Sequence, residues 1–287
     1  MSGVLTVRPF RLEDLDAAAR FCDAARALDP AVEPFGQRLG VIATGSRASL
    51  GLWRVAAGED GGLYGVAFSA RRGGSSQPIY DFYAAVHPSQ RRQGLGRALS
   101  EPAVTSGATL RARVRDDAPT GRAFAKALGF VETSAQLSLQ WVSRKLEVRA
   151  MPALRLRNAV PRDEPVLQKL SGEAWTGSPD ALLSRPDEIA QLFGEEGRLV
   201  LLAESDGKAM GYLSAVHLGP TLGIEEVAVL PEYRRMGIGR SLVVRALAGV
   251  QGAVLSVAES NVPARALYRS LGFRQTARRV VLELRRG

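Results

Sequence analysis

The feature that most constrains this chain is that it says one thing twice. Ala84 to Ser100 lies over Val227 to Val243 at a constant shift of 143 positions with nine identities in seventeen, including RRQGLGR against RRMGIGR. The same shift, without a gap, places RAFAKALGF (Arg122 to Phe130) over RALYRSLGF (Arg265 to Phe273) with five identities in nine. Two motifs keeping one spacing imply a duplicated domain. Upstream, VRPFRLEDL and LRNAVPRDE agree more loosely, through Arg8 and Arg157 and an Asp six residues on. At 287 residues the chain has room for two domains, each with its own core.

The expected division is an N-terminal domain over residues 1–148, a linker at 149–153 (RAMPA) and a C-terminal domain over 154–287. The strand-like LSLQWVSRKLEV is read as closing the first copy, and LRLR as opening the second. Each copy reads as strand, helix, a variable stretch, hairpin, strand, glycine turn, helix, strand, helix, strand. In the second copy Asp206-Gly207 marks a hairpin turn between RLVLLAES and AMGYLSAVHL. EEVAVL and AVLSVA read as strands, SLVVRALAGV as a helix, and NVPARALYRSLGF as a helix with Pro263 in its first turn and Gly272 at its end.

Other functions are disfavoured by what is missing. Apolar runs fall short of the roughly 20 residues that span a bilayer, the N-terminus carries no apolar signal core, and one cysteine, Cys22, forms no internal disulfide. A cytoplasmic location without membrane attachment is expected, and Cys22, in a helical pattern, reads as a small buried thiol. The net charge of +9 suits a polyanionic partner, yet basic and aromatic residues are not interleaved, and nucleic-acid binding is a minor expectation. His87 and His217 stand apart from any metal-ligand spacing, so no metal is expected.

A strand, a tight glycine turn and a helix aim unpaired backbone amides and the helix dipole at one point, a geometry that binds phosphate. Gly237 and Gly239 let a ligand approach the backbone, and Arg234, Arg235 and Arg240 supply charge-assisted bonds. The stretch lacks the lysine of a Walker loop and the third glycine of a dinucleotide fingerprint.

The joint pattern VAVLPEYRRMGIGRSL, followed after a strand by NVPARALYRSLGF, resembles the GNAT superfamily of N-acetyltransferases, and the resemblance covers both halves. It implies an α/β (α+β) fold of two tandem GNAT domains. Each would be a mixed, mostly antiparallel sheet with splayed central strands, flanked by helices. It implies acetyl-CoA as cosubstrate, its pyrophosphate held by Arg234, Arg235, Gly237, Ile238, Gly239 and Arg240. Backbone groups of Val227 and Val229 would meet the thioester, Asn261 the pantetheine arm, and Tyr268 would be the acid that protonates the departing thiolate. Glu225 or Glu226 would be the general base. Glu225 is preferred because strand alternation puts it on the face of Val227 and Val229.

In the first copy Arg91, Gly94, Gly96 and Arg97 keep the cradle, but Ala118, Ala125, Phe82 and Tyr83 stand where the second has Asn261, Tyr268, Glu225 and Glu226. The first domain is therefore expected to be catalytically degenerate, with Tyr80 and Asp81 available only in a shifted register. Trp175 and the acidic residues Asp180, Asp187, Glu188, Glu195 and Glu196 lie in the segment expected to shape the acceptor site. The acceptor is expected to be a small-molecule amine or a protein N-terminus, and the protein a monomer or homodimer. The alternative is a protein that holds or senses coenzyme A without transfer.

Overall fold

The structure is a computed structural model that describes residues 4–29, 39, 51–71, 79–143, 146, 153–175, 189, 192–194 and 196–285. It forms two compact units, Met1–Ser134 with Arg279–Gly287, and Ala135–Arg278.

The first unit opens with β1 (Leu5–Pro9) and α1 (Leu15–Leu28), then β2 (Arg54–Gly58), β3 (Leu63–Arg71), β4 (Ile79–Val86), α2 (Leu95–Val104), β5 (Thr109–Arg115) and α3 (Pro119–Ala127). β6 (Val131–Val142) carries the chain into the second unit. There follow β7 (Arg155–Asn158), α4 (Glu164–Trp175), β8 (Arg198–Ser205), β9 (Lys208–Leu218), β10 (Thr221–Val229), α5 (Ile238–Ala246), β11 (Gly252–Ala258) and α6 (Val262–Ser270). The last strand, β12 (Arg274–Leu284), returns to the first unit.

Within the first unit the strand order is β1-β2-β3-β4-β5-β12, and within the second β7-β8-β9-β10-β11-β6. All neighbours are antiparallel except β4 with β5 and β10 with β11. Those two parallel pairs are the splayed ones. The β4 ladder ends at Phe82 opposite Ala112 although β4 runs to Val86, and the β10 ladder ends at Ile224 opposite Leu255 although β10 runs to Val229. Each sheet therefore opens into a gap at its centre.

The compact units cut across the repeats. β6, read as the closing strand of the first copy, pairs through Gln136–Val142 with Ala258–Gly252 of β11, while Arg279–Leu284 of β12 pair with Arg115–Leu110 of β5. The two closing strands are exchanged. The expected linker at 149–153 lies outside the described residues except for Ala153. Side chains make the exchange specific. Glu283 of β12, buried in the first unit, accepts bonds from Arg111 at 2.7 Å and Arg285 at 2.6 Å; at the repeat position of Arg111 the second unit has Val254. Trp141 of β6 is buried in the second unit and donates to the Leu271 carbonyl at 3.1 Å, whereas β12 carries Leu284 at that position. Each strand thus meets a groove fitted to it. A carboxylate buried without its arginine carries a large desolvation cost.

Each unit has a core on both faces of its sheet. In the second, Tyr212, Ala228 and Leu230 pack with α4 residues Leu167, Leu170 and Ala174 on one face, and Ile224, Leu255, Val257 and β6 pack with α5 and α6 on the other. The loose upstream similarity has a physical counterpart. Arg8 bonds both oxygens of Asp14 at 2.7 Å, Arg157 bonds both of Asp163 at 2.7 and 2.9 Å, and each Asp also accepts from a backbone amide three residues before it. The Arg157 guanidinium holds Asp163 down at about 2. Asp206 and Gly207 both have positive φ, the type I′ hairpin expected of Asp-Gly. Among the described residues no helix is long and apolar enough to cross a membrane.

Candidate active site

The glycine turn has one backbone in both units. Arg234 is extended, Arg235 is left-handed at φ 65°, and Gly237 at φ 88° caps α5; in the first unit Arg92 is at 67° and Gly94 at 81°. The first amide of α5 with a partner four residues back is that of Ser241, on the Gly237 carbonyl, and in α2 it is that of Ala98, on Gly94. The amides of Ile238, Gly239 and Arg240, and of Leu95, Gly96 and Arg97, are left for a ligand, as at any helix start. A Cβ on Gly239 would meet Leu267 at 3.5 Å and Val229 at 3.8 Å, ordinary contacts, so protein packing does not demand glycine there. A Cβ there would stand between the backbone amides and any anion brought against them.

The arginines divide. Arg234 donates to the Val229 carbonyl at 3.1 Å and the Ala174 carbonyl at 2.7 Å, stapling the end of β10 to the end of α4, and Arg91 likewise bonds the Val86 carbonyl and Asp29. These two guanidiniums already hold protein oxygens through some of their donors. Arg240 touches Ser270 at 3.2 Å, and Arg97 the Ala127 carbonyl at 3.4 Å. Arg235 is exposed beside the unpaired amides.

The two glutamates are sorted by a β-bulge. Between Ile224 and Glu226 the register of β10 on β9 shifts by one, leaving Glu225 as the extra residue. Alternation alone puts Glu226 with Leu222 and Ile224. The bulge instead turns it to the α4 face, leaving Val227 and Val229 toward α5 and α6. Glu225 is exposed and ion-paired with Arg198. Glu226 is half-buried and receives Trp175 Nε1–H at 2.6 Å and the Ser171 hydroxyl at 3.4 Å. The preference for Glu225 from strand alternation is thereby removed, because alternation does not survive a bulge. In the first unit β4 pairs with β3 without any shift.

Two partners of Glu226 were not singled out in the sequence. Ser171 lies four residues before Trp175, on the same face of α4, which the spacing could have shown. Tyr212 of β9 is fully buried beneath α4 beside Glu226 and Ser171, and burial and the charge of Glu226 raise its phenol. Of the acidic residues expected near the acceptor, Asp180, Asp187, Glu188 and Glu195 lie outside the described residues, and Glu196 is exposed.

On the other face, Tyr268 of α6 is 7% exposed within the core that includes Ile224 and Leu255, with its ring 5.5 Å from that of Phe273. Burial pushes its phenol up to about 12, so it keeps its proton at neutral pH. Asn261 caps α6, its side-chain oxygen accepting the Ala264 amide at 3.2 Å, which leaves its NH₂ to donate elsewhere. Ala118 holds the same position before α3 with nearly the same backbone, φ −108° and ψ 75° against −79° and 71°, and makes no cap bond. Ala118→Asn is therefore expected to stabilise the first unit by about 1 kcal/mol, read as a rise in Tm of about 2–4 °C by calorimetry.

In the first unit the position of Glu226 is taken by an aromatic residue. Tyr83, at the repeat position of Glu226, is buried and stacks on Phe68 at 6.1 Å, continuing through Trp53 and Phe10. Cys22 is buried in the same cluster, and burial pushes its thiol up to about 12. A cleft of about 790 Å³ nevertheless opens beside the first glycine turn, lined by β4, β5 and α3.

The acetyltransferase (GNAT) family model matches residues 165–273. The mycothiol acetyltransferase of Kineococcus radiotolerans is 30% identical over 235 residues, 76% of this chain and 77% of that protein. The chain belongs to the GNAT acetyltransferase family. The GNAT relative from Clavibacter michiganensis subsp. michiganensis, also named mycothiol acetyltransferase, is 29% identical over 271 residues, 89% of this chain and 86% of its own length. A tandem GNAT protein from the clavulanic acid biosynthesis pathway superposes with a TM-score of 0.72 over 98% of both chains at 22% identity, which shows the shared tandem fold. The protein is an acetyl-CoA-dependent N-acetyltransferase.

Proposed function

We propose that the second unit carries the transfer, to an amine of a mycothiol-type acceptor, and that the first unit is catalytically silent. The observation that carries the assignment of units is the bulge at Glu225, which puts Glu226 on the α4 face beside an opening in the sheet while Tyr268 lies on the other. The acetyl donor would lie with its phosphates on the amides of Ile238, Gly239 and Arg240 and beside Arg235, its pantetheine arm passing Val227, Val229 and Asn261. The acceptor ammonium, entering beside Trp175 and Ser171, gives its proton to Glu226. The freed amine attacks the thioester carbon, the C–N bond forms and the C–S bond breaks, Tyr268 gives its proton to the thiolate, and the second proton, shed by the nitrogen as it becomes an amide, restores Tyr268. What supports the acceptor is that relatives matching three-quarters or more of the chain carry mycothiol in their names.

The test is steady-state acetylation of the deacetylated amine of mycothiol beside spermidine, free lysine and a peptide N-terminus. The mycothiol-type amine is expected to give the highest kcat/KM; equal turnover of the other amines would discard that acceptor. Tyr268→Phe is expected to lower kcat by about 10²-fold while acetyl-CoA binding persists, and full turnover by this variant removes the acid role.

A further inference from the structure

The cleft of the first unit joins two unlike ends. One is the glycine turn, with Arg92, Gly94, Gly96 and Arg97. The other reaches into the core at Phe82, Ala112, Ala125 and Phe130, all buried. Three of its lining residues are truncations of the second copy: Ala112 for Leu255, Ala118 for Asn261 and Ala125 for Tyr268. Deleting large side chains from a core costs stability unless the space is used. Here the three deletions border one open cleft, and about 790 Å³ is within the range of ligand sites.

We infer that this cleft holds a coenzyme A thioester whose acyl chain is longer than acetyl, as a ligand that is not turned over. The inference rests on reading the first glycine turn as a coenzyme A cradle. The polar end offers three unpaired amides with Arg92 and Arg97 for a polyphosphate. The apolar end offers alanines and phenylalanines where the second unit has a tyrosine and an asparagine, so an alkyl chain gains contact there and an acetyl group leaves space unfilled. The second unit's pair is not repeated here: Ala125 replaces Tyr268, and Tyr83, buried and stacked on Phe68, replaces Glu226.

The experiment is calorimetric titration of the full chain carrying Gly237→Glu, which closes the second cradle, with coenzyme A, acetyl-CoA and octanoyl-CoA. Octanoyl-CoA is expected to bind at least about ten-fold more tightly than acetyl-CoA, since each buried methylene favours transfer from water. In the unsubstituted chain the same site is expected as a second binding event, preferring octanoyl-CoA, which serves if Gly237→Glu disturbs folding. Ala125→Val and Ala125→Leu border open space, and are expected to reduce the octanoyl preference in that order while coenzyme A affinity holds. Equal or weaker binding of octanoyl-CoA, a preference untouched in both Ala125 variants, or no coenzyme A binding in the Gly237→Glu protein each overturns the inference. Turnover of acetyl-CoA by the unsubstituted chain is read separately, so the assignment of the second unit stands or falls by itself.

Discussion

Glu226→Gln is expected to lower kcat by about 10²–10³-fold while acetyl-CoA binds as before. The substitution keeps the shape of the side chain, and its amide oxygen can still accept from Trp175 and Ser171, so what is lost is the capacity to take the acceptor's proton. The deficit should therefore shrink as pH rises toward the acceptor's own pKa, where free amine is supplied by the solvent. Glu225→Gln, on an exposed residue paired with Arg198, should leave the rate little changed at every pH. Parallel pH–rate profiles of the two variants make the comparison. A full rate in Glu226→Gln with a collapse in Glu225→Gln would return the role to the residue that strand alternation favours.

Residues 154–287 produced alone should fail to fold as a monomer, whereas 135–278 should fold and bind acetyl-CoA. The first fragment follows the repeat but omits β6, and with it the buried Leu137, Leu139 and Trp141 and the whole antiparallel ladder on β11. Burying each such side chain is worth about 1.5–3 kcal/mol, against a total stability of about 5–15 kcal/mol for a domain. β12 is present in that fragment and could enter the empty groove. There it would place Leu284 where Trp141 fits and bury Glu283 opposite Val254 instead of Arg111. Circular dichroism, size-exclusion chromatography and acetyl-CoA titration of both fragments decide the point. A monomeric 154–287 with full acetyl-CoA affinity would falsify this account of the exchange.

Much of the architecture could be read from residue order because it depends on local chemistry. Gly94 and Gly237 stand where a left-handed backbone precedes a helix, Asp206-Gly207 makes its own hairpin, and Asn261 caps the helix it precedes. Even the faint Arg and Asp similarity near each start proved to be one ion pair made twice. Three things were out of reach. The bulge at Glu225 depends on how β10 registers against β9, and neither Glu nor its neighbours encode an extra residue locally. The exchange of β6 and β12 depends on Arg111 meeting Glu283 across 172 positions, while the repeat itself suggests that each closing strand stays with its own copy. Tyr212 was hidden for a similar reason: its importance comes from what lies beneath α4, and its own strand pattern is ordinary.

The exchange also sets an order of events during synthesis. The second unit, Ala135–Arg278, is one unbroken stretch of chain and can close as soon as it has left the ribosome. The first unit is made earlier yet finishes later, since β5 has no partner on its outer side until Arg279–Leu284 emerge. Through the time needed to make the whole second unit, at roughly 5–20 residues per second, the older half waits with an open strand edge. Such edges recruit other strands. The half read as silent in catalysis is thus the half whose maturation depends on the last strand made, so translation that stops short of β12 leaves a finished second unit attached to an unfinished first.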